Sequence, residues 1–279
     1  MSSIVKRFLV FPLAALIIAG LLLAGGCAGE GPSGNSQQGE LSGKITEAGS
    51  TSVLPLAEQF ALAFMQKYPK VTVTYTGGGS GAGVKQCAEG TVDIGAASRD
   101  LKMSEADLVS CPVARDGVAI IVNTANPVSD LSVEQVARIF EGEITDWSQV
   151  GGNPGGITVY SREEGSGTRD CFESKVTEEV TNAAITKKSN GEMQLAVQSD
   201  SSGIAYVSLG YIEGVKALSL GGVECSVATC QSGEYPIVRR LYFLTEGVPG
   251  EPVKAFIDFC RSPEGQEIAE DLGYIPLVT

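Results

Sequence analysis

The chain passes from a predicted strand into a predicted helix at Gly49-Ser50-Thr51-Ser52, and similar runs recur at Gly79-Ser80-Gly81 and at Arg162-Glu163-Glu164-Gly165-Ser166-Gly167-Thr168. A helix N-terminus presents unpaired backbone N–H groups and a partial positive charge, so it can hold an anion without a formal counter-charge. Serine and threonine add hydroxyl donors there. With an arginine at the third run, the three runs predict a site for a tetrahedral oxyanion held mainly by hydrogen bonds.

Strands and helices alternate outward from these runs. Apolar residues at helical spacing mark helices, and β-branched runs such as residues 71–75 mark strands. The predicted strands are 44–48, 71–75, 92–97, 114–123, 157–160, 204–207 and 237–244, and the predicted helices are 53–68, 81–89, 131–140, 168–176, 252–260 and 263–271. This order predicts an α/β architecture with a mainly parallel sheet, in which ligands bind beyond the carboxyl ends of the strands.

Composition excludes several classes of function. The net charge is −13, which argues against nucleic-acid binding, whereas a local anion site is compatible with a screened acidic surface. The chain has no histidine, which removes the usual Ser-His-Asp and Cys-His catalysis and the commonest transition-metal ligand. We therefore expect no metal and no cofactor.

The N-terminus has the pattern of an export signal. Lys6 and Arg7 precede an apolar run at residues 8–23, which ends in Ala-Gly-Gly before Cys27. The pattern predicts a signal peptide at 1–27 with a lipid on Cys27 that tethers an exported protein to the outer face of the cytoplasmic membrane. An uncleaved membrane anchor is the alternative. Residues 28–40, rich in Gly, Ser, Gln and Pro, are predicted to be a flexible tether.

Six further cysteines, an even number in an exported chain, favour disulfides. A zinc or thioredoxin-like site is not expected, because no C-x-x-C pair is present. Cys225 and Cys230 flank a short loop and form the first candidate pair. The other pairings considered are Cys87 with Cys111 and Cys171 with Cys260, and buried free thiols remain the alternative.

The order and spacing of six motifs resemble a known family. The motifs are residues 48–52 (AGSTS), 76–83 (TGGGSGAG), 93–99 (DIGAASR), 114–117 (ARDG), 144–147 (ITDW) and 161–169 (SREEGSGTR). Together they resemble the PstS-type phosphate-binding proteins of the phosphate ABC importer, over a stretch from about residue 44 to the C-terminus. The resemblance implies the type II periplasmic-binding-protein fold, with two α/β lobes, mostly parallel sheets, two crossover strands and the ligand in the interlobe cleft. Lobe one would comprise 41–122 plus 236–279, and lobe two 123–235.

The resemblance also implies roles for individual residues. Arg162 would supply the formal positive charge, and Glu164 would hold that arginine in place. The other implied phosphate ligands are Thr51, Ser52, Ser80, Ser98, Ser166, Gly167 and Thr168. No residue is expected to be catalytic.

Ser98 departs from one pattern of the family, in which an aspartate accepts a hydrogen bond from protonated phosphate and repels sulfate. A serine hydroxyl donates as well as accepts, so it discriminates less by itself. Asp116 or Glu163 could supply the missing acceptor. Arg99 could add a second cationic contact or form a salt bridge instead.

The resemblance implies an exported monomer that captures inorganic phosphate and delivers it to ABC permease and ATPase subunits by hinge closure. A binding protein for sulfate, molybdate or tungstate is the first alternative, and a sensory or adhesion module is another. A phosphatase or serine hydrolase is disfavoured, because neither Ser80 nor Ser166 lies in a G-x-S-x-G motif and no histidine base is present.

Overall fold

The computed structural model describes residues 41–277, which form a mixed α/β unit. The strands are β1 (Gly43–Gly49), β2 (Val71–Gly77), β3 (Ile94–Ala97), β4 (Val109–Val122), β5 (Asp130–Leu131), β6 (Thr158–Arg162), β7 (Ile185–Lys187), β8 (Gly203–Ser208), β9 (Lys216–Ala217), β10 (Ser219–Leu220) and β11 (Val238–Thr245). The helices are α1 (Leu54–Lys67), α2 (Ser80–Ala88), α3 (Val133–Phe140), α4 (Gly167–Lys175), α5 (Asn190–Ser199), α6 (Val227–Ser232), α7 (Val253–Arg261) and α8 (Pro263–Asp271).

The main sheet has the strand order β2-β1-β3-β11-β4-β8-β6-β7, with β9 paired to β4, and β5 pairs with β10 in a small second sheet. β1 runs parallel to β2 and β3, and β6 runs parallel to β7 and β8. β4 and β11 run antiparallel to each other, β11 also to β3 and β4 also to β8. The sheet is therefore mixed rather than mostly parallel, because two long crossover strands join its two parallel halves.

Two large hydrophobic cores lie along this sheet. The first core packs α1, α7 and α8 against β1, β2 and β3 around Phe60, Phe64 and Phe256. The second core surrounds Phe172 and Tyr206, whose rings stack 4.2 Å apart. We call the part of the chain around the first core lobe one and the part around the second core lobe two.

β4 contributes to both cores. Its residues Val113 and Ala114 pack in the first core, whereas residues 118–122 pack in the second. The predicted lobe one, 41–122 plus 236–279, includes residues 118–122, which pack in the second core. The packing favours a lobe boundary near residues 115–117, and the boundaries themselves stay a prediction.

Two glycines allow close backbone contacts around the first two hydroxyl-and-glycine runs. A Cβ on Gly83 would lie 2.6 Å from the carbonyl oxygen of Ala48, and one on Gly49 would lie 2.2 Å from that of Ala96. Gly49 also has a φ of +142°, which disfavours other residues. Gly83 therefore lets α2 rest directly on β1 and β3, and Gly49 lets the end of β1 approach β3.

The predicted export signal, tether and lipidation site at Cys27 lie outside the described residues. Within residues 41–277, no helix is both long enough and apolar enough to span a bilayer.

The cysteines at 87, 111, 171, 225, 230 and 260 are free thiols. Cys171 packs in the second core and Cys260 in the first, so the pairing of these two is wrong. Cys87 and Cys111 also pack in different clusters. The Sγ atoms of Cys225 and Cys230, in contrast, lie together beside Gly117, where they would be 3.0 and 2.6 Å from a Cβ on that glycine.

We expect Cys225 and Cys230 to form a disulfide in the exported protein, because their sulfur atoms lie beside the same glycine and export compartments are oxidising. Unfolding without reductant, alkylation and peptide mass spectrometry should yield one peptide with neither thiol alkylated. The other described cysteines, alkylated in the same sample, are the internal control. Alkylation of both Cys225 and Cys230 before reduction would contradict this pairing.

One ionisable side chain is buried in the lobe-one core without a partner. Glu47 on β1 is 2% exposed, and neither of its carboxyl oxygens has a hydrogen-bond partner among the described residues. Burial raises the pKa of this carboxyl well above its usual value, because the charged form loses its hydration. The protonated form is therefore the one compatible with folding.

Because its pKa is raised in the folded state, Glu47 lowers the free energy of unfolding as the pH rises. Below the pKa of Glu47 in the unfolded chain, the carboxyl is protonated in both states and costs no stability through ionisation. As the pH rises from there towards the folded-state pKa, the unfolded chain ionises first and stability is lost. Glu47→Gln should therefore reduce the loss of stability between pH 5 and pH 8, measured by urea unfolding without ligand. Glu58→Gln, on an exposed position of α1, is the matched control. Equal pH slopes for wild type and Glu47→Gln would disprove the assignment.

Candidate functional site

The structure brings the predicted ligand residues together where the ends of β1, β3 and β6 meet the N-termini of α2 and α4. Thr51, the most accessible of those with side chains, is 7% exposed. Ser52, Ser80, Ser98, Arg162, Ser166 and Thr168 are each 0–1% exposed. Because the first four of the seven belong to lobe one and the last three to lobe two, both lobes build the site.

Three tyrosines hold the first run in place. The hydroxyls of Tyr75, Tyr211 and Tyr274 donate to the carbonyl oxygens of Ser50, Thr51 and Ser52, respectively, over 2.8–2.9 Å. Burial raises the pKa of Tyr211 to about 12 and those of Tyr75 and Tyr274 well above the usual value, so all three phenols stay protonated donors. Because three consecutive carbonyl oxygens accept these hydrogen bonds, the backbone conformation of residues 50–52 is fixed.

Lobe two meets lobe one at Gly167. A Cβ there would lie 2.3 Å from Ser80 Oγ and 2.6 Å from Ser98 Oγ, so only glycine permits this approach. The Ser98 backbone N–H donates to Ser80 Oγ over 3.0 Å. Across the lobes, the Gly81 N–H donates to the carbonyl oxygen of Gly165 over 2.9 Å. The N-termini of α2 and α4 therefore face each other at hydrogen-bond distance.

Arg162 is the buried cation at the end of β6, and Glu163 orients it. The Nε and Nη2 atoms of Arg162 each donate to a Glu163 carboxylate oxygen over 2.8 Å. Glu164 is exposed and has no such contact, so its predicted role as the orienting acid is wrong. The turn after β6 directs residue 163, not 164, back along the guanidinium.

The Nη1 atom of Arg162 is buried and has no hydrogen-bond partner among the described residues. A guanidinium donor left unpaired in the interior is costly, so it marks a place where an external acceptor is required. A cavity of about 480 Å³ is lined by residues of both lobes, among them Thr51, Ser189 and Glu163, the carboxylate partner of this arginine. The arrangement suits an anion that enters between the lobes.

Ser166 and Thr168 lie at the start of α4. Ser166 is the N-cap, and its Oγ accepts from the Arg169 backbone N–H over 3.3 Å. Thr168 Oγ1 lies 3.0 Å from Ser52 Oγ across the lobes. The capping serine thus fixes the first turn of the helix, and the threonine links that turn to lobe one.

A second buried arginine lies behind Ser52 and Ser98. Arg239 on β11 donates from Nε and Nη2 to Asp116 Oδ2 on β4, over 2.9 and 2.7 Å. Its Nη2 also donates to Ser52 Oγ over 2.7 Å, and its Nη1 to Ser98 Oγ over 3.3 Å. Burial raises the pKa of Asp116, and the charge of Arg239 opposes that shift.

The proposed acceptors that would compensate for Ser98 are both engaged elsewhere. Asp116 accepts from Arg239 and from the Leu209 backbone N–H, and Glu163 accepts from Arg162. Each carboxylate therefore holds an arginine, and neither takes the place of the acceptor that an aspartate at position 98 would provide.

Arg99 forms an interlobe ion pair rather than a ligand contact. Its guanidinium lies 2.9 Å from Asp170 Oδ2 on α4 and donates to both carboxylate oxygens of Glu105 over 2.7 and 2.9 Å. Hydrogen bonding within this charged network raises the pKa of Arg99 above its usual value and lowers that of Glu105. Of the two roles considered for Arg99, the geometry selects the salt bridge.

Asn190 and the Asp116–Arg239 pair were not predicted from the sequence. Asn190 is fully buried, and its Nδ2 donates to Thr51 Oγ1 and Ser52 Oγ over 3.1 and 2.9 Å. The S-x-x-E sequence from Ser189 to Glu192, typical of a helix start, could have located α5 and with it Asn190. The ion pair joins residues 123 positions apart, which no local pattern reveals.

Chemically, the site presents hydroxyls, backbone N–H groups and one unpaired guanidinium donor. Within residues 41–277, no group of three or more Cys, Asp or Glu side chains could hold a metal ion. The arrangement suits recognition of an oxyanion by hydrogen bonds.

Comparison with known proteins agrees with this geometry. Residues 34–264 match the PBP superfamily domain. The chain is 33% identical to the phosphate-binding protein PstS of Bacillus subtilis (strain 168), over 95% of this chain and 93% of that protein. It is 29% identical to the PstS of Borreliella burgdorferi, over 84% of this chain and 90% of that protein.

Solved structures give the same result. A putative phosphate ABC transporter substrate-binding protein from Clostridium perfringens, solved with bound phosphate, is 38% identical with a TM-score of 0.83, and the match covers 85% of this chain and all of that one. An ABC-type phosphate transport receptor from Vibrio cholerae is 34% identical with a TM-score of 0.70, over 84% of this chain and all of that one. The predicted two-lobed α/β fold is confirmed. The chain therefore belongs to the PBP superfamily and, within it, to the family of PstS phosphate-binding proteins.

Proposed function

We propose that this protein captures inorganic phosphate between its two lobes for an ABC importer. The observation that carries the proposal is the Nη1 donor of Arg162, which is buried and has no partner among the described residues. Phosphate supplies the acceptor that this donor lacks. The printed names of the PstS relatives and of the phosphate-bound Clostridium perfringens structure support the same ligand.

The proposed ligand set consists of Arg162 with the hydroxyls and backbone N–H groups of the three runs. The lobe-one members are Thr51, Ser52, Ser80 and Ser98, and the lobe-two members are Ser166, Gly167 and Thr168. Ligand binding would stabilise the closed arrangement, because each lobe carries only part of the donor set. No covalent chemistry is proposed.

The delivery partners are ABC permease and ATPase subunits, in keeping with the transporter context named for the related structures. A lipid on Cys27 would keep a monomeric protein at the outer face of the membrane, with residues 28–40 as its tether. If a lipid on Cys27 is the attachment, the Cys27→Ala protein should no longer associate with the membrane. Unchanged membrane association would contradict this anchor.

The residue at position 98 makes another oxyanion a second candidate for the ligand. A serine stands there, and Asp116 and Glu163 are both held by arginines. Sulfate carries no proton to donate, so a free carboxylate in the site would repel it. Neither of these two carboxylates is free to do so. Sulfate, molybdate and tungstate are therefore the competitors to test.

Calorimetric titration of the full chain, dialysed to remove bound ligand, should show tight phosphate binding in a one-to-one complex. Sulfate, molybdate and tungstate follow as competitors under the same conditions. Phosphate binding that none of them displaces supports a phosphate importer. Preference for one of the competitors, or no binding of any of the four anions, would overturn the phosphate assignment.

Arg162→Ala should weaken phosphate binding about a hundredfold or more, because it removes the buried guanidinium that pairs with the anion. The thermal unfolding midpoint without ligand identifies any loss of folding. Arg138→Ala is the matched control, since Arg138 is half exposed and pairs with Glu143 on the surface. Near-unchanged affinity in a folded Arg162→Ala protein would refute the site assignment.

A further inference from the structure

Asn190 occupies an unusual place at the interface of the two lobes. It is the first residue of α5, in lobe two, and none of its surface is exposed. Its Nδ2 group reaches Thr51 Oγ1 and Ser52 Oγ in lobe one over 3.1 and 2.9 Å. Its backbone N–H also donates to Thr51 Oγ1, over 3.4 Å. One residue of lobe two therefore contacts two hydroxyls of the lobe-one binding run.

The orientation of the Asn190 amide is fixed by lobe two itself. The backbone N–H of Ser208, which can only donate, lies 3.0 Å from Asn190 Oδ1. The amide oxygen must therefore face Ser208, and the NH₂ group must face Thr51 and Ser52. Its two protons supply one hydrogen bond to each hydroxyl oxygen.

These contacts determine where the Thr51 proton points. A threonine hydroxyl has two acceptor lone pairs and one donor proton. Both lone pairs of Thr51 Oγ1 are engaged by Asn190, one through the backbone N–H and one through Nδ2. Thr51 can then interact further only as a donor.

The same count applies to Ser52 and extends to Thr168. Ser52 Oγ accepts from Asn190 Nδ2 over 2.9 Å and from Arg239 Nη2 over 2.7 Å. Its own proton is thus left for Thr168 Oγ1, 3.0 Å away. Because Thr168 accepts this bond, its hydroxyl proton is free to donate elsewhere, and both threonines have been proposed above as phosphate ligands.

We propose that Asn190, with Arg239, is a positioning and specificity-determining residue that makes Thr51 and Thr168 donors towards the bound anion. This inference rests on the proposed function and deepens it. The site would favour tetrahedral oxyanions that present ionised, acceptor-only oxygens at these two positions. Since Asn190 and Thr51 belong to different lobes, the donor direction is set only when the lobes are together.

A carboxylate at position 190 should be worse than no polar group there. Asp accepts hydrogen bonds, so in Asn190→Asp the Thr51 hydroxyl would turn towards residue 190 and away from the anion, and the Ser52 hydroxyl would turn towards residue 190 and away from Thr168. We expect phosphate affinity to fall about tenfold in Asn190→Ala and at least about tenfold further in Asn190→Asp. The measurement is calorimetric titration of the full chain with inorganic phosphate. Asn126→Asp, at a buried asparagine outside the site, is the matched control and should bind like wild type.

A pH series separates positioning from a structural role. The ratio of the Kd of Asn190→Asp to the Kd of Asn190→Ala should shrink as pH falls through the ionisation range of an aspartate. The charged or titratable groups around this position are Arg239, Asp116, Arg162, Lys188, Glu192 and Tyr211. They are common to both variants, as is the ionisation of phosphate, so their effects largely cancel in the ratio.

A double-mutant cycle tests the route of the effect. If Asn190 acts through the Thr51 hydroxyl, Asn190→Ala should cost much less affinity in a Thr51→Val background than in wild type. Additive losses, or equal losses for Asn190→Ala and Asn190→Asp at every pH in a protein that binds phosphate, would overturn the positioning role alone. A folded wild-type protein that binds no phosphate would overturn the proposed function and this inference with it.

Discussion

The buried ion pair between Asp116 and Arg239 is the interaction on which the arrangement of the two lobes depends. The two residues are register partners on β4 and β11, the strands that pass between the lobes. Asp116 is fully buried and the Arg239 side chain nearly so, which makes an unpaired charge at either position expensive. The pair therefore fixes the crossover strands relative to each other and, through Arg239, carries that register to Ser52 and Ser98.

Close backbone approach is the second constraint on the site. Helix N-termini act on a shared ligand only when they lie within hydrogen-bond distance of one point, which side chains on the facing turns would prevent. Gly83 brings α2 onto β1, and Gly167 brings α4 onto Ser80 and Ser98. Hydroxyls then fill the space that the glycines leave. The alternation of glycine with serine and threonine in the binding runs follows from this geometry.

The sequence predicted most of this fold, because its long helices and buried strands carry strong periodic patterns. Helix α8 has the predicted bounds, and α1 begins one residue after the predicted start. α5 was missed, since Gly191 weakens its helical pattern and only Asn190, Met193 and Val197 are buried in it. The strands β5, β7, β9 and β10 have two or three residues each and depend on pairing with distant segments rather than on local preference.

The candidate site was predictable in part for a related reason. Its hydroxyls and Arg162 lie in short motifs whose local chemistry is visible in the sequence. The orienting role of Glu163 depends on the turn after β6, and the roles of Arg239, Asp116 and Asn190 depend on tertiary contacts. Such contacts leave no trace in the spacing of neighbouring residues, so these positions were either missed or given another role.

Charge balance decides how such a site can recognise an anion in a chain of net charge −13. Each arginine near the site is matched by acid: Arg162 by Glu163, Arg239 by Asp116, and Arg99 by Glu105 and Asp170. The surroundings are therefore close to neutral, and net positive charge is not what distinguishes the cleft. Recognition must depend on the direction of donors that are buried, fixed and short of acceptors, because these gain the most from an ionised oxygen placed among them. An acidic protein can in this way hold an anion without a basic surface, provided that its lobes set the direction of each donor.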